Sequence, residues 1–233
     1  MATDVQIPVV EVPPLRDGDR MTRTEFERRW DAMPEVKKAE LIEGVVYMPP
    51  ALSRDHGAPH FDLITWLGMY RMLTPVTEGA DNASVRFDDQ NMPQPDALLR
   101  ILENYGGQCR ITPDRYLEGG PELIVEVART TADEDLGPKR EVYRRHKVPE
   151  YIIWRVADRA LDWYILRGEY YLLLDPGPDG IIRSEMFPGL WLDPAALIRG
   201  DAARVLAVAQ LGHGSPEHTA FIQLLRKRSL GQA

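Results

Sequence analysis

The stretch PELIVEVARTTADEDLGPKREVYRRHKVPEYIIW, residues 121–154, joins two apolar runs through a charged segment. Side chains alternate along a strand, so Leu123, Val125 and Val127 share one face, and Glu126 shares the other face with apolar neighbours. A strand that is apolar on both faces is typical of a sheet covered on both sides. A buried carboxylate there needs a partner. The alternative is that Glu126 lies on the exposed face of an edge strand.

The charged segment, residues 132–146, predicts a helix that is acidic in its first turn and basic in its last. Lys139, Val142, Tyr143 and His146 recur at helical spacing and share one face. If this face packs on the sheet, the Lys139 ammonium can reach back toward Glu126. The pair is then either a structural ion pair or part of a functional site.

The rest of the chain alternates between helical and strand patterns. An extended arm, residues 1–20, precedes an α/β order in which a mixed sheet with helices on its faces fits best. The predicted elements are a helix at about 23–33, a hairpin within 39–48, a helix at 56–73, strands at 84–87, 96–101 and 122–128, the helix at 132–146, an antiparallel meander made of YIIWRV, ALDWYIL and EYYLLL, and a helical tail.

Composition narrows the class of protein. The chain has 233 residues and a formal net charge of −8, which argues against general affinity for polyanions. Its single cysteine, Cys109, excludes an internal disulfide and suits the reducing cytoplasm. We find no zinc-type cysteine and histidine spacing, no signal-peptide pattern and no apolar run of membrane-spanning length. These features indicate a cytoplasmic protein.

Two further acids precede predicted strands. Asp96 follows two prolines in PQPDALLRI, and Glu40 precedes LIEG. Taken alone, Asp96 suits a turn or a strand edge, and Glu40 suits a solvated helix end. Taken with Glu126 and Lys139, they supply the carboxylates that hard divalent cations prefer and a lysine that can orient water or stabilise a pentavalent phosphate. That combination is the chemistry of phosphodiester hydrolysis.

The order of these motifs resembles one protein family. AELIEGVVYMPPALSRDHG, QPDALL, ELIVEVA and DLGPKREVYRRHKVPEYIIW, within residues of about 21–190, are similar to the Uma2 family of restriction-like endonucleases in the PD-(D/E)XK superfamily. The resemblance implies a restriction-endonuclease-like fold. It makes Asp96, Glu126, Glu40 and the His56 of RDHG site residues; the alternative for His56 is a histidine that is hydrogen-bonded locally at the start of a helix. The superfamily lysine, absent at Ala128, is implied to have moved to Lys139 on the following helix.

The resemblance also implies a cofactor and a partner. We expect Mg²⁺ or Mn²⁺, held by Asp96, Glu126 and the Val127 carbonyl. The expected substrate is nucleic acid, with DNA favoured; no membrane partner is expected, and a homodimer is compatible with the sequence. The resemblance divides the chain into an arm at 1–20, a nuclease-like domain at 21–190 and a helical tail at 191–233.

Some features oppose this interpretation. ARTT follows Val127 where the family often carries a Ser-Pro-Ser-like stretch, and the net charge is acidic. The alternative is a nuclease fold without turnover that acts as a binding or regulatory module. A basic group in the predicted helix could contact a polyanion, or it could be a solvated helix face; it comprises Arg140, Arg144, Arg145 and Lys147. Dinucleotide-binding, Walker A and nucleophile-elbow motifs are absent from the sequence.

The tail carries an apolar edge at helical spacing. Phe221, Leu224 and Leu225 must be buried somewhere if they lie on one helix. We therefore expect the tail to dock on the preceding domain or on a second subunit. Ser215 is the expected N-cap of this last helix, with Pro216 at its first position.

Overall fold

The computed structural model describes residues 12–49, 54–128 and 132–230, without the side chains of residues 54–56, 132, 229 and 230. The side chain of His56 and residues 1–11 of the predicted arm therefore lie outside the described part of the chain. Among the described helices, none is both long enough and apolar enough to cross a lipid bilayer.

Helices and short strands alternate along the chain, as the sequence predicts. The helices are α1 Arg23–Asp31, α2 Arg54–Leu73, α3 Ala132–Glu134, α4 Arg140–Arg145, α5 Pro194–Arg199, α6 Ala202–His213 and α7 Pro216–Leu230. The strands are β1 Glu40–Ile42, β2 Val45–Tyr47, β3 Thr77–Asp81, β4 Val85–Arg86, β5 Ala97–Ile101, β6 Arg110–Ile111, β7 Leu117–Glu118, β8 Leu123–Ala128, β9 Glu150–Arg155, β10 Ala160–Arg167, β11 Tyr170–Leu173, β12 Ile182–Arg183 and β13 Trp191–Leu192.

A six-stranded mixed sheet forms the centre of the molecule, in the order β11-β10-β9-β8-β5-β3. β8 and β9 run parallel, and the helical segment between them makes the crossover that parallel strands require. The other neighbours in this sheet are antiparallel, including the predicted meander of β9, β10 and β11. The predicted mixed sheet flanked by helices is confirmed.

β8 is buried along its whole length, on both faces. Leu123, Val125 and Val127 face the core formed with α2 and α5–α7. Ile124 and Ala128 face a second core that includes residues of α4. Glu126 shares this second face and is 2 % exposed. The edge-strand alternative for Glu126 is therefore wrong.

The segment that follows β8 was predicted to be one regular helix, but the structure shows an interrupted one. α3 and α4 are separated by a single π-helical turn at Asp135–Lys139. Pro138 lies inside this turn and has no amide hydrogen, so it cannot donate to the carbonyl four residues earlier. A wider turn accommodates this loss, and such π turns are common at functional sites.

The β1–β2 hairpin is confirmed. Its two central residues, Glu43 and Gly44, have φ values of 52° and 72°, the positive values that a type I′ turn requires. Leu41 pairs with Met92 through two backbone hydrogen bonds, of 3.1 and 2.7 Å. This pairing joins the hairpin to the segment that leads into β5, and so it fixes the position of Glu40.

The tail packs on the chain's own core. Phe221 and Leu225 are buried in the cluster that covers the α2 face of the sheet, whereas Leu224 is 47 % exposed. The tail therefore docks on the preceding part of its own chain, which is the first of the two predicted arrangements. The prediction that Leu224 is buried is wrong. Ser215 caps α7 as expected, since its hydroxyl accepts a hydrogen bond of 3.2 Å from the His218 amide. The division at residues 20 and 190 stays a prediction.

Replacing Leu225 by alanine is expected to lower the free energy of unfolding by about 2–5 kcal/mol, because a fully buried leucine loses its packing and leaves a cavity. Leu224→Ala is the matched control in the same helix, and the exposure of Leu224 predicts a change within roughly 0.5 kcal/mol. Urea unfolding of the two variants measures the difference. Equal destabilisation would contradict the docking of α7.

Candidate active site

Asp96 and Glu126 meet where β5 begins and β8 nears its end. Ala97 pairs with Val125, and the same antiparallel register places Asp96 opposite Glu126. The Asp96 amide donates to Glu126 Oε2 at 3.3 Å, and the Val127 amide donates to Asp96 Oδ2 at 2.8 Å. Both carboxylates are buried. The two acids that the sequence singled out therefore lie side by side, Glu126 accepting from the Asp96 amide and Asp96 accepting from the amide that follows Glu126.

Lys139 joins three carboxylates. Its Nζ lies 3.1 Å from Glu126 Oε1, 3.0 Å from Glu40 Oε2 and 3.4 Å from Asp135 Oδ1. Burial lowers the pKa of Lys139, but the three carboxylates raise it by more, so its net pKa lies well above the usual range. Lys139 is therefore a permanent cation in this arrangement, and the expected Glu126 partner is confirmed.

Glu40 is the first residue of β1 and is buried, not solvated at a helix end. Its Oε1 accepts a hydrogen bond of 2.8 Å from the Gln94 amide, while Oε2 faces Lys139. Gln94 in turn donates its side-chain amide to the Asn82 carbonyl at 2.7 Å. Gln94 thus helps to hold Glu40 in place. This contact was not predicted, although Gln94 stands two residues before Asp96 in the sequence.

The Glu126 carboxyl group is buried and lies close to other carboxylates. Burial raises the pKa of Glu126 to about 8; Lys139 opposes this shift, and nearby carboxylates add to it. The Tyr143 hydroxyl donates to Glu126 Oε1 at 2.8 Å. Burial, followed by the nearby Glu126 and Glu40 carboxylates, raises the pKa of Tyr143 well above its usual range, so the phenol remains a donor. The predicted helix face therefore contributes a hydroxyl as well as an ammonium.

A second lysine, Lys38, was not predicted. Its Nζ lies 2.8 Å from Asp96 Oδ1 and 3.2 Å from Asn82 Oδ1. Lys38 stands two residues before Glu40, in the segment that leads into β1. That spacing was the available signal for it.

A histidine beside Asp96 was also missed. His60 Nε2 lies 3.0 Å from the Asp96 carbonyl oxygen and 3.1 Å from Asp81 Oδ1. It follows the predicted His56 by one turn of α2. The structure thus brings together Asp96, Glu126, Glu40 and Lys139 from the predicted set, and adds Lys38, Asp135, Tyr143, Asn82, Gln94 and His60 around them.

The family model of Uma2, described as "Putative restriction endonuclease", matches residues 23–195. The chain belongs to the Uma2 family. Its fold is similar to a crystal structure of a putative nuclease belonging to DUF820 from Anabaena variabilis, with a TM-score of 0.56 and 14 % sequence identity. That similarity covers 73 % of this chain and 97 % of the other. A search of curated proteins gives no match.

The donor chemistry of this Uma2 site fits a hard divalent cation. Within the described residues, no three acidic, histidine or cysteine side chains are arranged to hold a metal ion as they stand. Instead, the ammonium groups of Lys38 and Lys139 pair with the carboxylates of Asp96 and Glu126, respectively. The amide and carbonyl of one strand residue project from the same edge, so the Val127 carbonyl points to the edge where its amide meets Asp96.

The predicted basic group of the Uma2 chain is largely neutralised by acids. Arg144 pairs with Glu141 at 2.5 Å, Lys147 pairs with Glu169 at 2.5 Å, and Arg145 pairs with Glu43. The guanidinium of Arg140 lies over the Tyr164 ring. This helix face is a poor anion-binding patch, because most of its charge already has a local partner.

Proposed function

We propose that this Uma2 chain is a metal-dependent endonuclease that hydrolyses phosphodiester bonds in nucleic acid, with DNA as the first substrate to test. The observation that carries the proposal is the meeting of Asp96 and Glu126 at adjacent strand ends, with Lys139 bound to Glu126. Family membership and the shared fold support a nuclease-like function. Burying several acids and lysines together is costly for a purely structural purpose.

Asp96, Glu126 and the Val127 carbonyl would hold Mg²⁺ or Mn²⁺. Oxygen ligands of this kind are the ones that both ions prefer. When bound, such a cation supplies Lewis-acid stabilisation of phosphoryl oxygens and a more acidic bound water. The Asp96 amide donates to the Glu126 carboxylate and the Val127 amide donates to the Asp96 carboxylate, so these two amides keep both carboxylates in position.

Lys139 would act as an electrostatic group. The raised pKa of Lys139, caused by its carboxylate neighbours, makes it a poor proton acceptor in the metal-free arrangement. A fixed ammonium near the scissile phosphate can stabilise the negative charge that develops in the transition state. Glu40 and Asp135 hold this ammonium in place from two further elements.

A binding module without turnover is the second candidate. The acidic net charge and the neutralised basic group favour it, because both weaken attraction to a polyanion. DNA rather than RNA, the cytoplasmic location and the homodimer remain predictions.

Cleavage assays on purified protein distinguish the two candidates. We expect a supercoiled plasmid, a single-stranded DNA or an RNA to be cut in the presence of Mg²⁺ or Mn²⁺ and to remain intact with EDTA. Asp89→Asn changes an exposed acid outside the site and is the matched control for site variants. Binding of nucleic acid without cleavage under every metal condition would favour the module.

A further inference from the structure

Lys38 and Lys139 hold the site in different ways. Lys139 is buried and is carried by a helical segment that packs on the sheet. Lys38 lies in the segment before β1, and its side chain is 20 % exposed, against 9 % for Lys139. Its described polar contacts are one carboxylate, Asp96, and one side-chain amide, Asn82. Lys38 is therefore the more accessible of the two lysines.

The Lys38 ammonium binds an oxygen that a metal ion would need. Asp96 Oδ2 accepts the Val127 amide at 2.8 Å, so this oxygen is committed to holding the strand end. Asp96 Oδ1 is the oxygen that meets Lys38, also at 2.8 Å. A cation approaching Oδ1 competes with the ammonium for the same lone pairs. The flexible four-carbon stem of a lysine allows its ammonium to leave without moving the backbone.

Lys38 also has a reason to remain charged. Its ammonium lies 2.8 Å from the Asp96 carboxylate, whose side chain is only 5 % exposed. A charged lysine on Asp96 compensates that buried acid when no metal is bound. Loss of this compensation is expected to destabilise the metal-free protein.

We propose that Lys38 is a displaceable counter-cation, which holds Asp96 Oδ1 in the metal-free protein and is exchanged for the divalent cation. The inference rests on the metal site of the proposed function and adds a positioning residue to it. It makes Lys38 a determinant of metal affinity, because every binding event must break the Lys38–Asp96 ion pair.

Calorimetric titration with Mn²⁺ tests this exchange without measuring cleavage. Lys38→Met keeps the length and apolar stem of the side chain and removes the charge. We expect it to bind Mn²⁺ about tenfold more tightly than wild type, because the hydrogen bond between Asp96 and the charged Lys38 ammonium no longer has to be broken. Lys37→Met is the control: Lys37 is exposed, donates to the Pro34 carbonyl, and carries the same charge one residue away.

Thermal unfolding supplies a second, independent measurement. In EDTA, Lys38→Met should unfold at a lower temperature than Lys37→Met, and saturating Mn²⁺ should remove that difference, since at one Mn²⁺ concentration the protein that binds the ion more tightly gains more stability. If Lys38→Met does not fold, Lys38→Gln takes its place, because it can still donate to Asp96 without a charge.

Three results would overturn the exchange: unchanged or weaker Mn²⁺ binding by the folded Lys38 variant, equal tightening by Lys37→Met, or no Mn²⁺ binding by any protein tested. The first two leave the nuclease proposal intact, since cleavage is not measured here. Conversely, a protein that cuts no nucleic acid but binds Mn²⁺ more tightly as Lys38→Met retains the exchange and loses only the nuclease activity.

Discussion

Lys139→Ala is expected to lower metal-dependent cleavage by about 10²-fold or more, the scale of one electrostatic catalytic group. The ammonium of Lys139 lies within 3.4 Å of three carboxylates and is the fixed positive charge that would face the phosphate. Mn²⁺ binding should survive the substitution, because Lys139 is not a ligand. The measurement is cleavage rate at saturating Mn²⁺, with circular dichroism as the folding control.

Lys139→Arg separates catalysis from charge balance. If Lys139 only compensates the acids around it, arginine keeps the charge and should keep most of the rate. If it positions water or stabilises the transition state, a planar guanidinium with a different reach should fail, as arginine and lysine are not interchangeable at such sites. We expect Lys139→Arg to lose rate as well. Wild-type rates in both variants would make Lys139 a structural partner of Glu126.

The alanine variant should also be less stable without metal. Removing one partner of a buried ion pair costs about 3–5 kcal/mol, because the remaining charges are left uncompensated. Glu40, Glu126 and Asp135 are those charges here. Mn²⁺ should recover part of the lost stability. Rates are therefore compared at metal concentrations and temperatures at which both variants remain folded.

Glu126→Gln is expected to lose metal affinity and cleavage together, each by at least about 100-fold. Even the loss of a residue that only hydrogen-bonds to a metal ligand lowers metal affinity or activity by roughly 10–100-fold. Glutamine keeps the shape of the side chain and can still accept the Tyr143 hydrogen bond. Its neutral amide is a weaker ligand for a hard cation. Mn²⁺ calorimetry and cleavage rates measure the two effects.

Tyr143→Phe is the matched comparison for Glu126→Gln. It removes the hydroxyl that donates to Glu126 Oε1 but leaves the carboxyl group of Glu126 and the ammonium of Lys139 in place. Rate and affinity should fall by much less than in Glu126→Gln. Equal losses in the two variants would indicate that Glu126 acts through orientation of the core, and not as a metal ligand.

The sequence could predict the parts of the site that depend on local periodicity. Strand alternation placed Glu126 on the face opposite Val125 and Val127, and helical spacing placed Lys139 and Tyr143 on the face that meets it. Both patterns are local, and both are present in the structure. Asp96 and Glu40 were singled out as acids that precede predicted strands, and the resemblance to Uma2 implied that both are site residues.

The remainder depends on contacts between distant segments. Lys38 reaches Asp96 because the β1–β2 hairpin is joined by the Leu41–Met92 pair to the segment that leads into β5. No local pattern encodes that pair. The edge strand β3, of sequence TEGAD, was missed for a related reason: its glycine and acids disfavour a strand, and pairing along all of β5 overrides that preference.

The π turn shows a different limit. Asp135 and Lys139 bracket it, and their ion pair of 3.4 Å crosses it. A regular helical period over residues 132–146 still gave the correct inward face for α4, because Val142 and Tyr143 follow the turn. It could not predict the wider turn itself, although Gly137 and Pro138 were the local signal for an interruption.

The most direct test of this account is calorimetric titration of Mn²⁺ into wild type, Asp96→Ala and Asp89→Ala. Asp96 is buried opposite Glu126, whereas the side chain of Asp89 is 82 % exposed. We predict that wild type and Asp89→Ala bind Mn²⁺ alike and that Asp96→Ala does not bind it measurably. Unchanged Mn²⁺ binding in Asp96→Ala would contradict the proposed metal site.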